Sequence, residues 1–153
     1  MDRKSYMDLQ KTIDILLIED REEDIEFTMR ALQKHNLADN AKIIKDGEEA
    51  LRFIFATREY SERNVSDLPK LIILDLKLPT AGGLEILRKI RSDERTNPAI
   101  VVMLTSSEED SDLYESYKLR ANSYIVKPVD FDEFIKVVSR VGYYWLRLNE
   151  LPQ

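Results

Sequence analysis

Five short aliphatic runs, each followed by a longer stretch with helical spacing, limit what this chain can fold into. "IDILLIE" (Ile13–Glu19), "LIILD" (Leu71–Asp75) and "AIVVMLT" (Ala99–Thr105) are nearly all aliphatic, as strands covered on both faces must be. "AKIIKD" (Ala41–Asp46) is mixed and belongs at an edge, and "SYIVKP" (Ser123–Pro128) is stopped by its proline. Between them, "EEDIEFTMRALQKHNL" sets Ile25, Met29 or Thr28, and Leu32 on one helical face. "GEEALRFIFATREY" does the same with Leu51, Ile54 and Phe55, and "GLEILRKIRS" with Leu84, Leu87 and Ile90 or Arg91. "SEEDSDLYESYKLR" reads as a helix opened by a capping box of Ser106 and Glu109. A long helix runs from about Asp130 towards Asn149, and Ala56–Lys70 reads as an exposed loop or an extended helix end. Such alternation implies an α/β fold: a parallel sheet with helices on both faces and right-handed crossovers.

Length and charge narrow the function classes. A chain of 153 residues favours one domain with a sizeable core. With 23 Lys plus Arg against 29 Asp plus Glu, the net charge of −6 is the wrong footprint for nucleic acid and is repelled by anionic membranes. The absence of Cys excludes disulfides, thiolate metal sites and Cys nucleophiles, and the lone His35 cannot build a multi-histidine centre. No signal-peptide-like N-terminus and no membrane-length apolar run are present, which makes a cytoplasmic location the default expectation.

In open parallel sheets ligands bind beyond the carboxyl ends of the strands, so the strand-end residues carry the functional question. The first strand ends in Glu19-Asp20, the third in Asp75, the fourth in Thr105-Ser106-Ser107 and the fifth in Lys127-Pro128. Neighbouring carboxylates raise one another's pKa unless a cation joins them. An all-oxygen set of Asp75, Asp20 and Glu19, with the backbone carbonyl of Lys77, suits Mg2+. Asp20 with Glu23 also fits a helix N-cap and capping box. Asp75 has no such role, because Pro79 and Gly82-Gly83 intervene before the next helix. Lys127 reads either as a structural partner of Asp75 or as a cation for a phosphoryl group, and Thr105 as a strand residue or a hydroxyl for a phosphoryl oxygen. Tyr124 is a half-buried aromatic by its alternation, and the Lys127–Pro128 bond is a candidate cis peptide.

Taken together, Glu19-Asp20, Asp75 in "LIILDLKLPTAGG", Thr105 after its aliphatic run, and Tyr124 with Lys127-Pro128 resemble the receiver domain of two-component response regulators. The resemblance covers about residues 12–140, each element at its own strand end. It implies a flavodoxin-like (βα)5 fold with strand order 2-1-3-4-5 and one receiver domain over residues 1–153, with a core of about 12–142. It implies that Asp75 accepts a phosphoryl group from a sensor histidine kinase, and that Glu19 and Asp20 hold Mg2+ (or Mn2+) with Asp75 and the Lys77 carbonyl. Lys127 then contacts the phosphoryl group, and Thr105 and Tyr124 form the conformational switch. Self-catalysed phosphorylation and autodephosphorylation are the expected chemistry, and no DNA-binding output segment is recognisable. Ser106 stands where alanine is common, and Lys77 and Ser107 occupy variable positions that line the approach. The ending "VGYYWLRLNELPQ" and the long loop before the third strand resemble single-domain regulators paired with phytochrome-type kinases.

Beyond Gly142 the last helix outruns the sheet. Residues 143–153 are therefore expected to form a homodimer through Tyr144, Trp145 and Leu148. Three other readings compete. A flavodoxin-like cofactor binder wants Gly, Ser or Thr after the first strand, where this chain has "EDREED". A haloacid-dehalogenase-type phosphatase wants a second Asp at the position of Lys77. An inactive receiver-like binding module has no need for the full set of acids, Thr and Lys.

Overall fold

The computed structural model describes residues 13–151. The N-terminal stretch searched for a signal peptide and the last two residues of the expected extension lie outside them. Strands β1 (Ile15–Ile18), β2 (Ala41–Ile44), β3 (Leu71–Leu74), β4 (Val101–Thr105) and β5 (Ser123–Val126) form one sheet in the order β2-β1-β3-β4-β5. All four strand pairings are parallel. Helices α1 (Glu22–Gln33), α2 (Gly47–Ile54), α3 (Gly83–Ser92), α4 (Asp110–Lys118) and α5 (Phe131–Tyr143) follow the strands in turn. The expected flavodoxin-like (βα)5 architecture and strand order are what the molecule adopts.

Two hydrophobic layers explain the aliphatic runs. Leu16, Ile18, Ile72, Leu74, Val101 and Met103 face the layer that holds α2 and α3. The alternating residues Ile15, Leu17, Leu71, Ile73, Val102 and Leu104 face the layer that holds α1 and α5. A strand with period two and apolar cover on both sides has no position left for a polar residue. β2 and β5, at the two edges, are only partly buried.

The helices differ in detail from the sequence reading. Thr28, rather than Met29, is buried in α1 beside Ile25 and Leu32. α2 turns Ala50, Phe53 and Ile54 inward, so Leu51 and Phe55 pack at the margin. α3 buries Ile86, Leu87 and Ile90, with Leu84 at the margin. Neither expected capping box forms. α1 begins after Arg21 and α4 after Glu109, neither with a side-chain cap, and the Ser107 hydroxyl donates to Asp112 at 2.6 Å. Ala56–Lys70 is a folded loop rather than a helix extension. It contains a 3-10 turn at Arg58–Tyr60, and the Tyr60 hydroxyl donates to Glu49 at 2.8 Å. The Arg63 guanidinium lies 3.9 Å from the Phe53 ring centroid and donates to the Phe53 carbonyl.

α5 packs on α1 through Phe134 and Val138, with edge-to-face contacts from Phe27 to Phe131 (4.7 Å) and Phe134 (5.7 Å). It continues as one wide π-helical turn, Tyr144–Leu148, closed by the Asn149 amide donating to the Tyr144 carbonyl at 2.7 Å. Trp145 folds back against the α1–α5 core layer, whereas Tyr144 and Leu148 are 48% and 59% exposed.

Two glycines let the loop after β3 approach its neighbours. A Cβ on Gly83 would lie 2.2 Å from the Asp75 carbonyl oxygen, and one on Gly47 would lie 1.8 Å from that of Ala81. At the amino end of the sheet, Arg91 of α3 clamps the entries to β4 and β5. Its guanidinium donates to the carbonyls of Asn97 (2.7 Å), Ala99 (2.7 Å) and Arg120 (2.8 Å), and to Asn122 Oδ1 (3.0 Å).

Candidate functional site

β1 pairs with β2 on one side and β3 on the other, so the crevice beyond β1 and β3 is the switch point of the sheet. In-register pairing brings the ends level. The Asp75 amide donates to the Ile18 carbonyl (3.1 Å), and the Lys127 amide to the Thr105 carbonyl (2.7 Å). Period two then sorts the side chains. Glu19, Asp75 and Lys127 continue the positions that face α1 and α5, and Thr105 and Tyr124 those that face the opposite layer.

The Lys127 ammonium is the centre of the rim. It donates to Glu19 Oε2 at 2.8 Å, to Asp24 Oδ2 at 2.8 Å and to Asp75 Oδ2 at 3.1 Å. Lys127, Asp75 and Glu19 are 9%, 6% and 2% exposed, so this charge cluster is largely withdrawn from water. Burial alone would push the ammonium towards neutrality. The bonds to Asp24 and Glu19, with the nearby charge of Asp75, outweigh it and hold the group at about 12. Burial pushes the Glu19 carboxyl up to about 7, opposed by its bond from Lys127 and reinforced by the charge of Asp75.

Asp20 is exposed at the mouth of this cleft, which Lys77, Thr105 and Ser107 also line. Glu19, Asp20 and Asp75 each offer an oxygen within 4.8 Å of the others. The Asp75 Oδ1 accepts from the Leu76 amide at 2.7 Å, which aims its other oxygen at Lys127. Three carboxylates around one ammonium, with Asp20 beside them, leave an excess of negative charge, and the donor set is all oxygen. That chemistry fits a hard divalent cation of the Mg2+ or Mn2+ kind.

Thr105 and Tyr124 meet through one residue. The Ser107 amide donates to Thr105 Oγ1 at 3.3 Å, and the Tyr124 hydroxyl donates to the Ser107 carbonyl at 3.0 Å. The Lys127–Pro128 bond is trans, as is every described peptide bond, which corrects the cis expectation. Val129 and Asp130 lead directly into α5, with Asp130 Oδ2 capping it at the Glu133 amide. No tight turn at Pro128 therefore demands the less stable isomer.

Two contributors escaped the sequence reading. Asp24, in the first turn of α1, is a full partner of Lys127. Thr80 holds the loop after β3 on α2. Its φ of 68° is rare for a β-branched residue, its hydroxyl donates to Asp46 Oδ1 (3.0 Å), and the same oxygen accepts from the Glu48 amide (2.9 Å).

Comparison with known proteins agrees with this geometry. Residues 15–139 match the response regulator receiver domain. A probable methanogenesis regulatory protein, FilR2 of Methanothrix harundinacea, is 32% identical over 99% of this chain and 96% of its own length. Response regulator Rcp1 of Synechocystis is 33% identical over 90% of this chain and 92% of its own. The Mn2+-bound structure of Rcp1 superposes with a TM-score of 0.84 at 32% identity, covering 91% of this chain and 98% of that one. The phosphorylated cyanobacterial phytochrome response regulator RcpA gives the same TM-score and identity, covering 91% and 97%. Family, fold order and rim chemistry converge, and this chain belongs to the response regulator receiver domain family.

Proposed function

We propose that the chain is a phosphoacceptor switch in which Asp75 takes a phosphoryl group from a sensor histidine kinase. The observation that carries this is the Lys127 ammonium bonded to Asp75, Glu19 and Asp24 at the switch point of the sheet. Glu19, Asp20 and Asp75, with the Lys77 carbonyl, would hold Mg2+ or Mn2+, which when bound offsets the charge of the acids and of the phosphoryl group. An Asp75 carboxylate oxygen forms the new O–P bond as the P–N bond of the donor phosphohistidine breaks and the imidazole leaves. Lys127 exchanges its bond to Asp75 for one to a phosphoryl oxygen. Positioning and charge neutralisation supply most of the rate. Hydrolysis of the acyl phosphate by water restores the carboxylate and resets the switch.

Thr105 and Tyr124 carry the change outward. A phosphoryl group adds roughly −1.5 to −2 charges and new acceptors. Thr105 turning towards it gives up the Ser107 amide, and the segment holding the Tyr124 hydroxyl moves with it. The kinship with RcpA supports a phytochrome-type kinase as the partner. The whole chain acts as one receiver, with residues from 143 onward as an extension that forms a homodimer. Its exposed Tyr144 and Leu148 support that role better than Trp145, which is partly covered by its own core. No described helix is long and apolar enough to cross a membrane.

Incubation with Mg2+ and acetyl phosphate tests the reading. The intact protein gains one phosphate, and Asp75→Asn gains none. Uptake by Asp75→Asn at the wild-type level would remove Asp75 from the role. The paired change Tyr144→Glu and Leu148→Glu yields a monomer by sedimentation at concentrations where the unaltered chain is a dimer.

A further inference from the structure

Asp24 is the one partner of Lys127 that stands outside the carboxylate group suited to a cation. An ammonium has three N–H donors, and Lys127 places them on Glu19, Asp24 and Asp75. Glu19 and Asp75 belong to the carboxylate group suited to a cation, and an Asp75 oxygen becomes part of the O–P bond. The position of Asp24 is set by the first turn of α1, and its side chain is 13% exposed beside a Lys127 side chain that is 6% exposed. Its other ionic contact is Arg21, at 3.7 Å and near the surface.

We infer that Asp24 is a positioning residue: it is the fixed anchor that keeps the Lys127 ammonium at the rim while the bonds to Glu19 and Asp75 are exchanged. The inference rests on the reading that Asp75 accepts the phosphoryl group. Lysine carries its charge on a flexible four-carbon stem, so an ammonium with one permanent bond stays near its working position. Without that bond, each exchange frees the stem to wander in the charged cleft. Asp24 also has an opposing effect, since its negative charge repels the incoming phosphoryl group. An isosteric amide separates the two effects, because Asn keeps an oxygen acceptor for Lys127 and loses the charge.

The test compares Asp24→Ala, Asp24→Asn and Asp75→Asn for phosphate uptake from acetyl phosphate with saturating Mg2+. Mg2+ affinity is followed separately by amide chemical shifts. Asp24→Ala is expected to slow uptake about tenfold, and Asp24→Asn to restore it to within about threefold of the wild type. Mg2+ affinity should stay within about twofold in both variants. Uptake by Asp24→Ala at or above the wild-type rate would mean that the carboxylate only repels the phosphoryl group, and overturns the inference. So would a fall in Mg2+ affinity that matches the fall in rate, since the whole rim would then be distorted. Asp24→Ser, whose hydroxyl is too short to reach Lys127, replaces Asp24→Ala if the latter does not fold. Asp75→Asn keeps the two readings apart: phosphate uptake in that variant overturns the phosphoacceptor reading, whatever Asp24 does.

Discussion

Two half-hidden cations sit at opposite ends of the same sheet. At the carboxyl end, Lys127 is ringed by three carboxylates. At the amino end, Arg91 is ringed by three backbone carbonyls and an amide oxygen. The carbonyls are neutral, fixed in the chain and always available, so Arg91 behaves as a rivet. The carboxylates are charged, ionisable and able to bind other cations, so the bonds of Lys127 can be exchanged. A planar guanidinium fork suits the first task and a mobile ammonium the second.

Removing each cation separates the two regimes. Lys127→Ala leaves three carboxylates without their shared counter-charge and should destabilise the metal-free protein by about 3–5 kcal/mol, read from urea unfolding. Added Mg2+ should recover part of that loss. Arg91→Ala leaves neutral acceptors unpaired and should cost about 1–3 kcal/mol, with no recovery on adding Mg2+ and unaltered phosphate uptake. A Mg2+-dependent rescue of Arg91→Ala would break the comparison.

pH gives a gentler contrast. Burial holds the Glu19 carboxyl at about 7 against its ordinary 4.5. Between those values the folded protein keeps a proton that the unfolded chain releases. Its stabilising contribution is therefore complete below 4.5 and is lost as the pH rises through about 7. The urea midpoint of the metal-free protein should carry this decline, and saturating Mg2+ should flatten it. Arg91 adds no slope there, since its guanidinium stays charged although burial pushes its pKa down. The smallest effect is expected at the margin of the rim. Tyr124→Phe removes one part-exposed hydrogen bond to Ser107 and should cost about 0.5–1.5 kcal/mol.

The ends of the sheet also differed in how well the sequence revealed them. The strands were legible because both faces are covered, so "ILLI", "LIIL" and "VVMLT" had to be aliphatic throughout. The rim followed from their last residues. Asp24 was hidden because acids in a first helical turn are common for dipole reasons alone. Arg91 was hidden because helical spacing marked position 90 or 91 as inward without showing that an arginine would reach backbone carbonyls. The one-residue rotation of α2 reflects Phe53, whose ring takes the core place that spacing assigned to Phe55. The capping boxes failed because both helices begin later than spacing implied, after Arg21 and after Glu109, beyond the Asp20 and Ser106 side chains meant to cap them.

The close approach at Gly47 and Gly83 has a consequence for anyone who wishes to diversify this protein. Both positions meet backbone rather than the ends of flexible side chains. No repacking of neighbours can make room for a larger residue at either. A saturation library should therefore return these two columns empty, while the exposed Lys77 between them accepts many residues. Variation at this rim has to enter through side chains that overhang the cleft, since the track of the loop beneath them is fixed.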